Sequence, residues 1–176
     1  DLGAYTGDTI RELLSYTHGT YASITALEPD RRSFRKLSAW AEQNLSGTVR
    51  LVQAGAWCED TMLRFSDQAG RQSRVAAKGR ETQMRALDSV LDGRPCTFLK
   101  MDVEGAEREA IAGAEQTIRQ HRPKLNIAAY HRSEDFFQLP LLIHTLCPDY
   151  RLYLRHHPYV PAWDTNLYAV VNNAGN

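Results

Sequence analysis

The sequence predicts an α/β fold, a mostly parallel sheet with helices packed on both faces. Three observations carry that expectation. Strand-like and helix-like patterns alternate along nearly the whole chain, the order that βαβ units produce. The 176 residues suffice for one such domain with a sizeable core and leave little room for a second, so residues 1–176 are expected to form a single domain. Four candidate strand ends carry polar or glycine-rich segments: Asp1–Gly7, Glu28–Asp30, Asp102–Gly105 and Tyr130–Arg132. In open parallel sheets, ligands bind beyond the carboxyl ends of the strands.

The elements follow in order. "GDTIRELLSYT" places Ile10, Leu13 and Leu14 on one helical face, with Asp8 suited to the N-terminal end. "YASITALEPD" reads as a strand that stops at Glu28-Pro29, since Pro29 cannot continue a central ladder. "RSFRKLSAWAEQNL" is an amphipathic helix with Phe34, Leu37, Ala41 and Leu45 at helical spacing. "VRLVQAGAW" is a strand ending near Gly55. Between residues 58 and 87, "TMLRFS", "SRVAA" and "TQMRAL" are short strand candidates, expected as a small peripheral β insertion. "CTFLKMDVEG" is a buried strand running into a turn, and "AEREAIAGAEQTIRQH" a single helix closed by Pro123. "KLNIAAYH" is the next strand. "SEDFFQLPLLIHTLCPD" is helical, kinked or split at Pro140. "YRLYLRHH" and "TNLYAVV" are a closing pair of strands.

Composition narrows the function. Lys plus Arg and Asp plus Glu number 21 each, so no net charge draws the chain to nucleic acid or to an anionic membrane. No apolar run approaches the roughly 20 residues of a membrane span, and no signal-peptide pattern is present. Cys58, Cys96 and Cys147 are scattered without metal-type spacing, which fits free thiols in a reducing cytoplasm. The basic run "GRQSRVAAKGR" has no interleaved aromatics and reads as a solvated hairpin.

The opening "DLGAYTGDT" has the look of a ligand-binding turn. Gly3 and Gly7 can adopt backbone angles denied to other residues and let a ligand approach the main chain. Their G-x-x-x-G spacing differs from the G-x-G-x-x-G of pyrophosphate sites. Asp1, two positions before Gly3, would repel a phosphate but tolerate a cationic ligand such as S-adenosylmethionine. Glu28 ends the next strand, where an acid that binds ribose hydroxyls is expected; otherwise it is a solvated acid before a proline. In "KMDVEGAE", Lys100, Asp102 and Glu104 alternate with apolar residues and share one face of an extended strand. Gly105 then permits a sharp turn. Asp102 suits a cofactor ammonium or a substrate hydroxyl, and Lys100 neutralises the carboxylates. Glu104 has two readings: orienting substrate or acting as base, or simply starting the following helix as its N-terminal acid.

The segments "DLGAYTGDT", "ALEPD", "FLKMDVEGAEREAIAGAEQTI" and "RPKLNIAAYH", in this order, resemble the FkbM family of S-adenosylmethionine-dependent methyltransferases. The resemblance implies a Rossmann-like class I methyltransferase fold with a seven-stranded sheet. It also implies O-methylation of a hydroxyl on a small acceptor, a sugar or secondary metabolite. It gives the cofactor-loop role to the opening turn, with Asp1, Gly3, Ala4, Tyr5, Gly7, Asp8 and Thr9, and the ribose role to Glu28 beside Pro29. Asp102 takes a cofactor or substrate carboxylate role, while Ala56, with Trp57, is a guess at the adenine side. The family's hydrophobic first strand would precede Asp1, so the chain is expected to be part of a longer protein.

His131, after "KLNIAAY", is the candidate general base, since an imidazole near its ordinary pKa of about 6.5 accepts a hydroxyl proton at neutral pH. The alternative is a histidine that only hydrogen-bonds substrate or packs at the strand end. A divalent metal on Asp102, Glu104 and His131 is conceivable, but these residues form no local signature, so no metal ligand is assigned. "RHHPY" has two readings: it lines the acceptor pocket with Tyr159 and Trp163, or it is an exposed aromatic loop. Two other functions compete: an NAD-linked oxidoreductase, disfavoured by the glycine spacing, and a cofactor-binding module without turnover.

Overall fold

The computed structural model describes residues 1–65, 80–158 and 164–171. The strand expected at "SRVAA", most of the basic run, and Tyr159 and Trp163 lie outside them. The principal sheet has the order β2-β1, then β6-β7-β9-β8. Its strands are β1 (Ser23–Leu27), β2 (Thr48–Val52), β6 (Phe98–Met101), β7 (Lys124–Ala128), β8 (Tyr150–His156) and β9 (Thr165–Val171). The two parts are joined by Leu2, which forms parallel bridges to Leu27 on one side and Met101 on the other. Leu2 N donates to Lys100 O at 2.9 Å, and Asp102 N donates to Leu2 O at 3.0 Å. On the other edge Leu27 N donates to Asp1 O (2.9 Å) and Gly3 N to Leu27 O (3.0 Å). Asp1–Gly3 therefore fills the slot expected for a first strand. Among the described residues the sheet departs from the seven strands of the expectation: six strands and this short bridge build it. The pairs β1–β2 and β6–β7 are parallel, and β9 runs antiparallel to both β7 and β8.

Helices cover the two faces. α1 (Asp8–Tyr16) and α2 (Arg31–Asn44) pack on β1 through Ile10, Leu37 and Ala41 against Ile24 and Ala26. α3 (Leu87–Leu91), α4 (Glu107–Ala112), α5 (Glu115–His121) and α6 (Asp135–Leu146) bury the larger core, with Ile111, Ile118, Leu139 and Ile143 against Leu99, Leu125, Ile127 and Leu167. Asp30 caps α2, its carboxylate accepting from Arg32 N and Ser33 N. The cap of α1 is Gly7, in the left-handed region and without a side-chain bond; Asp8 sits inside the first turn.

Three other elements differ from expectation for physical reasons. "VRLVQAGAW" splits: β2 stays in the main sheet, while β3 (Gly55–Ala56) joins a small sheet ordered β3-β5-β4. That sheet, with the antiparallel pair β4 (Thr61–Phe65) and β5 (Arg80–Arg85), is the expected insertion. The helix after β6 breaks in two at Gly113-Ala114, because Asp88 of α3 caps the second piece. Its carboxylate accepts from Gln116 N, Thr117 N and Thr117 Oγ1 at 2.6–2.9 Å, while Asp88 N donates to Gly113 O. A Cβ at Gly113 would overlap the Trp57 carbonyl, so the break is packed against the insertion. α6, by contrast, runs unbroken through Pro140. α3 itself has too short a pattern to be seen in the sequence.

Candidate active site

The predicted strand ends converge where Asp1–Gly3 lies between β1 and β6. Glu28, at the end of β1, is buried, and its carboxylate ties two turns: Tyr5 N donates to Oε2 and Asp30 N to Oε1, both at 2.8 Å. Burial pushes its pKa up, against the pull of these two amides. Each oxygen keeps a second lone-pair direction for a ligand hydroxyl.

The glycines of the opening turn take the left-handed angles expected of them, and each also makes room for neighbouring chain. Gly3 has φ 78°, and a Cβ there would overlap the carbonyl oxygen of Asp102. Gly7 has φ 88°, and its missing Cβ faces Leu37 and Trp40 of α2 at 3.0 Å. Both glycines let chain pack on chain, which sets the shape of the turn. Ala4 is buried beneath it, Tyr5 is exposed at φ 48°, and Asp8 and Thr9 open α1. Ala56 is buried in β3; Pro29, on the site side, stands 3.8 Å from where a Gly55 Cβ would be. Trp57 leads away, its carbonyl against Gly113.

Lys100 makes its direct contacts to the opening turn, while its charge interacts with Asp102 and Glu104 as expected. Its Nζ donates to Gly3 O at 2.8 Å and pairs with Asp1 Oδ1 at 3.3 Å, fastening the opening turn to β6. Burial lowers its pKa, opposed by the charges of Asp102, Asp8, Glu28 and Glu104. The three charged residues do not share one strand face, because β6 ends at Met101 and the backbone then turns. Glu104 (φ 55°) and Gly105 (φ 93°) occupy the left-handed region in succession.

That turn brings Asp102, Glu104 and His131 together, as the sequence suggested, and adds two residues it did not assign. His131 follows β7 with a side chain only 2% exposed. Its Nδ1 lies 2.9 Å from Oε1 of Glu107, which is fully buried in the first turn of α4. Nε2 stands 3.5 Å from both Asp102 Oδ1 and Glu104 Oε2, and has no hydrogen-bond partner. The Tyr130 hydroxyl lies 3.3 Å from each oxygen of Asp102. Glu104 does not start the helix; Glu107 does, and its Oε1 also accepts from Val103 N (3.0 Å) and Gly105 N (3.3 Å). The signal for Glu107 was an acid two residues after the turn glycine, placed to reach back to free amides.

Electrostatics follow from this packing. Burial works to lower the His131 pKa, but the Glu107 hydrogen bond and the charges of Glu107, Asp102 and Glu104 outweigh it, and the net shift is upward. Burial works to raise Glu107, and His131 with the backbone amides outweighs that, so its carboxyl is held below the usual range. The imidazole is therefore held charged further towards neutral pH than a free histidine, which opposes its use as a bare base there. Tyr130 is pushed up by burial and by Asp102, and keeps its proton.

A cleft of about 340 Å³ opens beside these groups, lined by Asp8, Glu12, Lys100, Asp102, Tyr130 and Tyr168 among others. A second cleft, of about 550 Å³, lies by α3 and α5 and contains none of the candidate residues. Asp102 and Tyr130 of the carboxylate–histidine cluster line the first. From "RHHPY", His157 Nε2 reaches the Tyr168 hydroxyl at 3.0 Å on the wall of that cleft.

Comparison with known proteins agrees with this layout. A family model described as the methyltransferase FkbM domain matches residues 1–161. Among solved structures, the methyltransferase FkbM from Methylobacillus flagellatus KT is similar at a TM-score of 0.80 and 32% identity, over 96% of this chain and 42% of that one. The chain thus spans well under half the length of that relative. Fibrillarin from Aeropyrum pernix, solved with natively bound S-adenosyl-L-methionine, shares the fold at a TM-score of 0.56 and 15% identity, covering 96% of this chain and 64% of that one. The methyltransferase domain of bacterial CtHen1-CN does so at 0.51 and 10%, covering 98% and 88%. No curated protein matches the chain. With the family's domain matched over most of its length, the chain belongs to the FkbM methyltransferase family.

Proposed function

We propose that this domain binds S-adenosylmethionine and methylates a hydroxyl group of a small, hydroxylated acceptor, a sugar or secondary metabolite. One observation carries the reading: a tethered carboxylate, Glu28, and a carboxylate–histidine cluster, Asp102 to His131, stand at neighbouring strand ends on either side of the opening turn. The residues fit the cofactor. Glu28 keeps lone pairs for vicinal ribose hydroxyls. The first turn of α1 carries Asp8, which discourages a pyrophosphate and weighs against an NAD-linked oxidoreductase. The opening turn's own acid, Asp1, has a nearly buried carboxylate whose oxygens take no hydrogen bond.

When bound, S-adenosylmethionine supplies an electrophilic methyl group: the acceptor oxygen bonds to its carbon as the carbon–sulfur bond breaks, leaving a neutral thioether. The chain's residues orient the acceptor and dispose of its hydroxyl proton. Catalysis of this kind rests largely on positioning. Asp102 and Tyr130 offer the acceptor hydrogen bonds at the mouth of the cleft, and the cluster around His131 makes loss of the proton easier. The free thiols Cys58, Cys96 and Cys147 support a reducing compartment such as the cytoplasm.

The cofactor role of Glu28 is tested by Glu28→Gln, which keeps the size of the side chain. Affinity for S-adenosylhomocysteine should fall about tenfold or more, the order expected for a charge-assisted pair of hydrogen bonds. Equal affinity in the variant would remove Glu28 from the cofactor site. Incubating the wild-type chain with methyl-labelled cofactor and a panel of hydroxylated compounds tests turnover. Cofactor binding with no acceptor labelled would favour the binding-module reading.

A further inference from the structure

We infer that the turn after β6 and the end of β7 form a divalent-cation site, with His131 Nε2, Asp102 and Glu104 as ligands and Glu107 orienting the imidazole. It deepens the proposed function, on which its catalytic meaning rests, since Asp102 and its partner Tyr130 line the cleft. Asp102, Glu107 and His131 keep one polar atom each within 4.8 Å of one another; Glu107 is taken up by Nδ1 and two backbone amides, so Glu104, 3.5 Å from Nε2, stands as the third ligand. The stronger observation is the state of Nε2. It belongs to a nearly fully buried side chain, has no hydrogen-bond partner, and points at two carboxylate oxygens 3.5 Å away. That spacing is long for a charge-assisted hydrogen bond. It is close to the roughly 3.0–3.4 Å between two ligands each about 2.1 Å from one ion at angles of about 90–110°.

The surroundings match a metal-binding histidine. The nitrogen opposite the metal is normally held by a carboxylate or carbonyl, which fixes the ring and leaves a lone pair on the other nitrogen. Glu107 does this at 2.9 Å, itself held by two backbone amides. Tyr130 does the same for Asp102. Glu104 is the adjustable ligand, its side chain 65% exposed and able to swing inward. Two carboxylates and an imidazole, with no thiolate, suit Mn²⁺ or Mg²⁺ and leave coordination positions open towards the cleft. A hydroxyl oxygen placed in one of them would lose its proton more readily. The sequence offered Asp102, Glu104 and His131 as a conceivable set without a local signature; what it did not show is Glu107, which read as an ordinary first-turn acid.

The test is a titration of chelator-treated protein with MnCl₂, followed by calorimetry and by loss of the free-ion electron-spin resonance signal, with no cofactor or acceptor present. Saturable binding at one site is expected, weakened at least tenfold in Asp102→Asn and in Glu104→Gln. Glu12→Gln, an acid elsewhere in the same cleft, should bind as the wild type does. Because Glu104 is exposed, Glu104→Gln keeps the test sound even if Asp102→Asn folds poorly. No saturable binding, or undiminished binding in Glu104→Gln and Asp102→Asn, would overturn the site. S-adenosylhomocysteine is titrated in parallel. Its binding without Mn²⁺ binding would sink the cation site and leave the methyltransferase reading standing. Mn²⁺ binding without it would support the site and sink that reading.

Discussion

Replacing His131 by alanine is expected to lower methyl transfer by about 10²- to 10⁴-fold, the range seen when a group that manages a reacting proton is lost. Affinity for S-adenosylhomocysteine should change by less than about threefold, because the proposed cofactor groups are Glu28 and the opening turn. The effect is large because His131 connects the whole cluster: Nδ1 holds Glu107, and Nε2 faces Asp102 and Glu104. Alanine would also leave Glu107 buried without its counterion, and breaking a buried pair typically costs about 3–5 kcal/mol. His131→Gln separates the two effects, since its amide can still donate to Glu107. If His131→Gln folds as stably as the wild type and turns over within tenfold of it, the imidazole has no part in the chemistry.

The second large effect is structural. Gly3→Ala should destabilise the fold by about 3–5 kcal/mol, combining the strain of a left-handed backbone with overpacking. Gly3 lies at φ 78°, and the added carbon would meet the carbonyl of Asp102, which is main chain and cannot swing away. Relief would require separating Asp1–Gly3 from β6, and with it the hydrogen bonds that join the two halves of the sheet. Against a typical total stability of about 5–15 kcal/mol, much of the protein would be unfolded or insoluble. Urea denaturation followed by circular dichroism measures this. A loss under about 1 kcal/mol would show that the turn and β6 move apart freely.

These two residues also show how much of the molecule was legible in its sequence. The alternating patterns gave the main strands and helices because each element buries one face at its own period, as in Ile10, Leu37 and Ala41 or in the buried run of β7. Glu28, Asp102 and His131 were singled out because strand ends are where polar residues interrupt apolar runs, and the structure places all three at strand ends. What escaped were features set by contacts distant in sequence. The break at Gly113 depends on the Asp88 cap from another helix. Gly3 was read as facing a ligand, whereas its neighbour is the backbone 99 residues further on. The direct contacts of Lys100 go to Asp1 and Gly3, while Asp102 and Glu104 meet it through charge alone. Glu107 looked like any acid in a helix's first turn until its burial against His131 was visible.

The central claim, that the opening turn and Glu28 hold S-adenosylmethionine, is tested most directly by calorimetric titration of the chain with S-adenosylhomocysteine and, separately, with NAD. The account predicts saturable one-to-one binding of S-adenosylhomocysteine and none of NAD. Binding of NAD with no response to S-adenosylhomocysteine would contradict it.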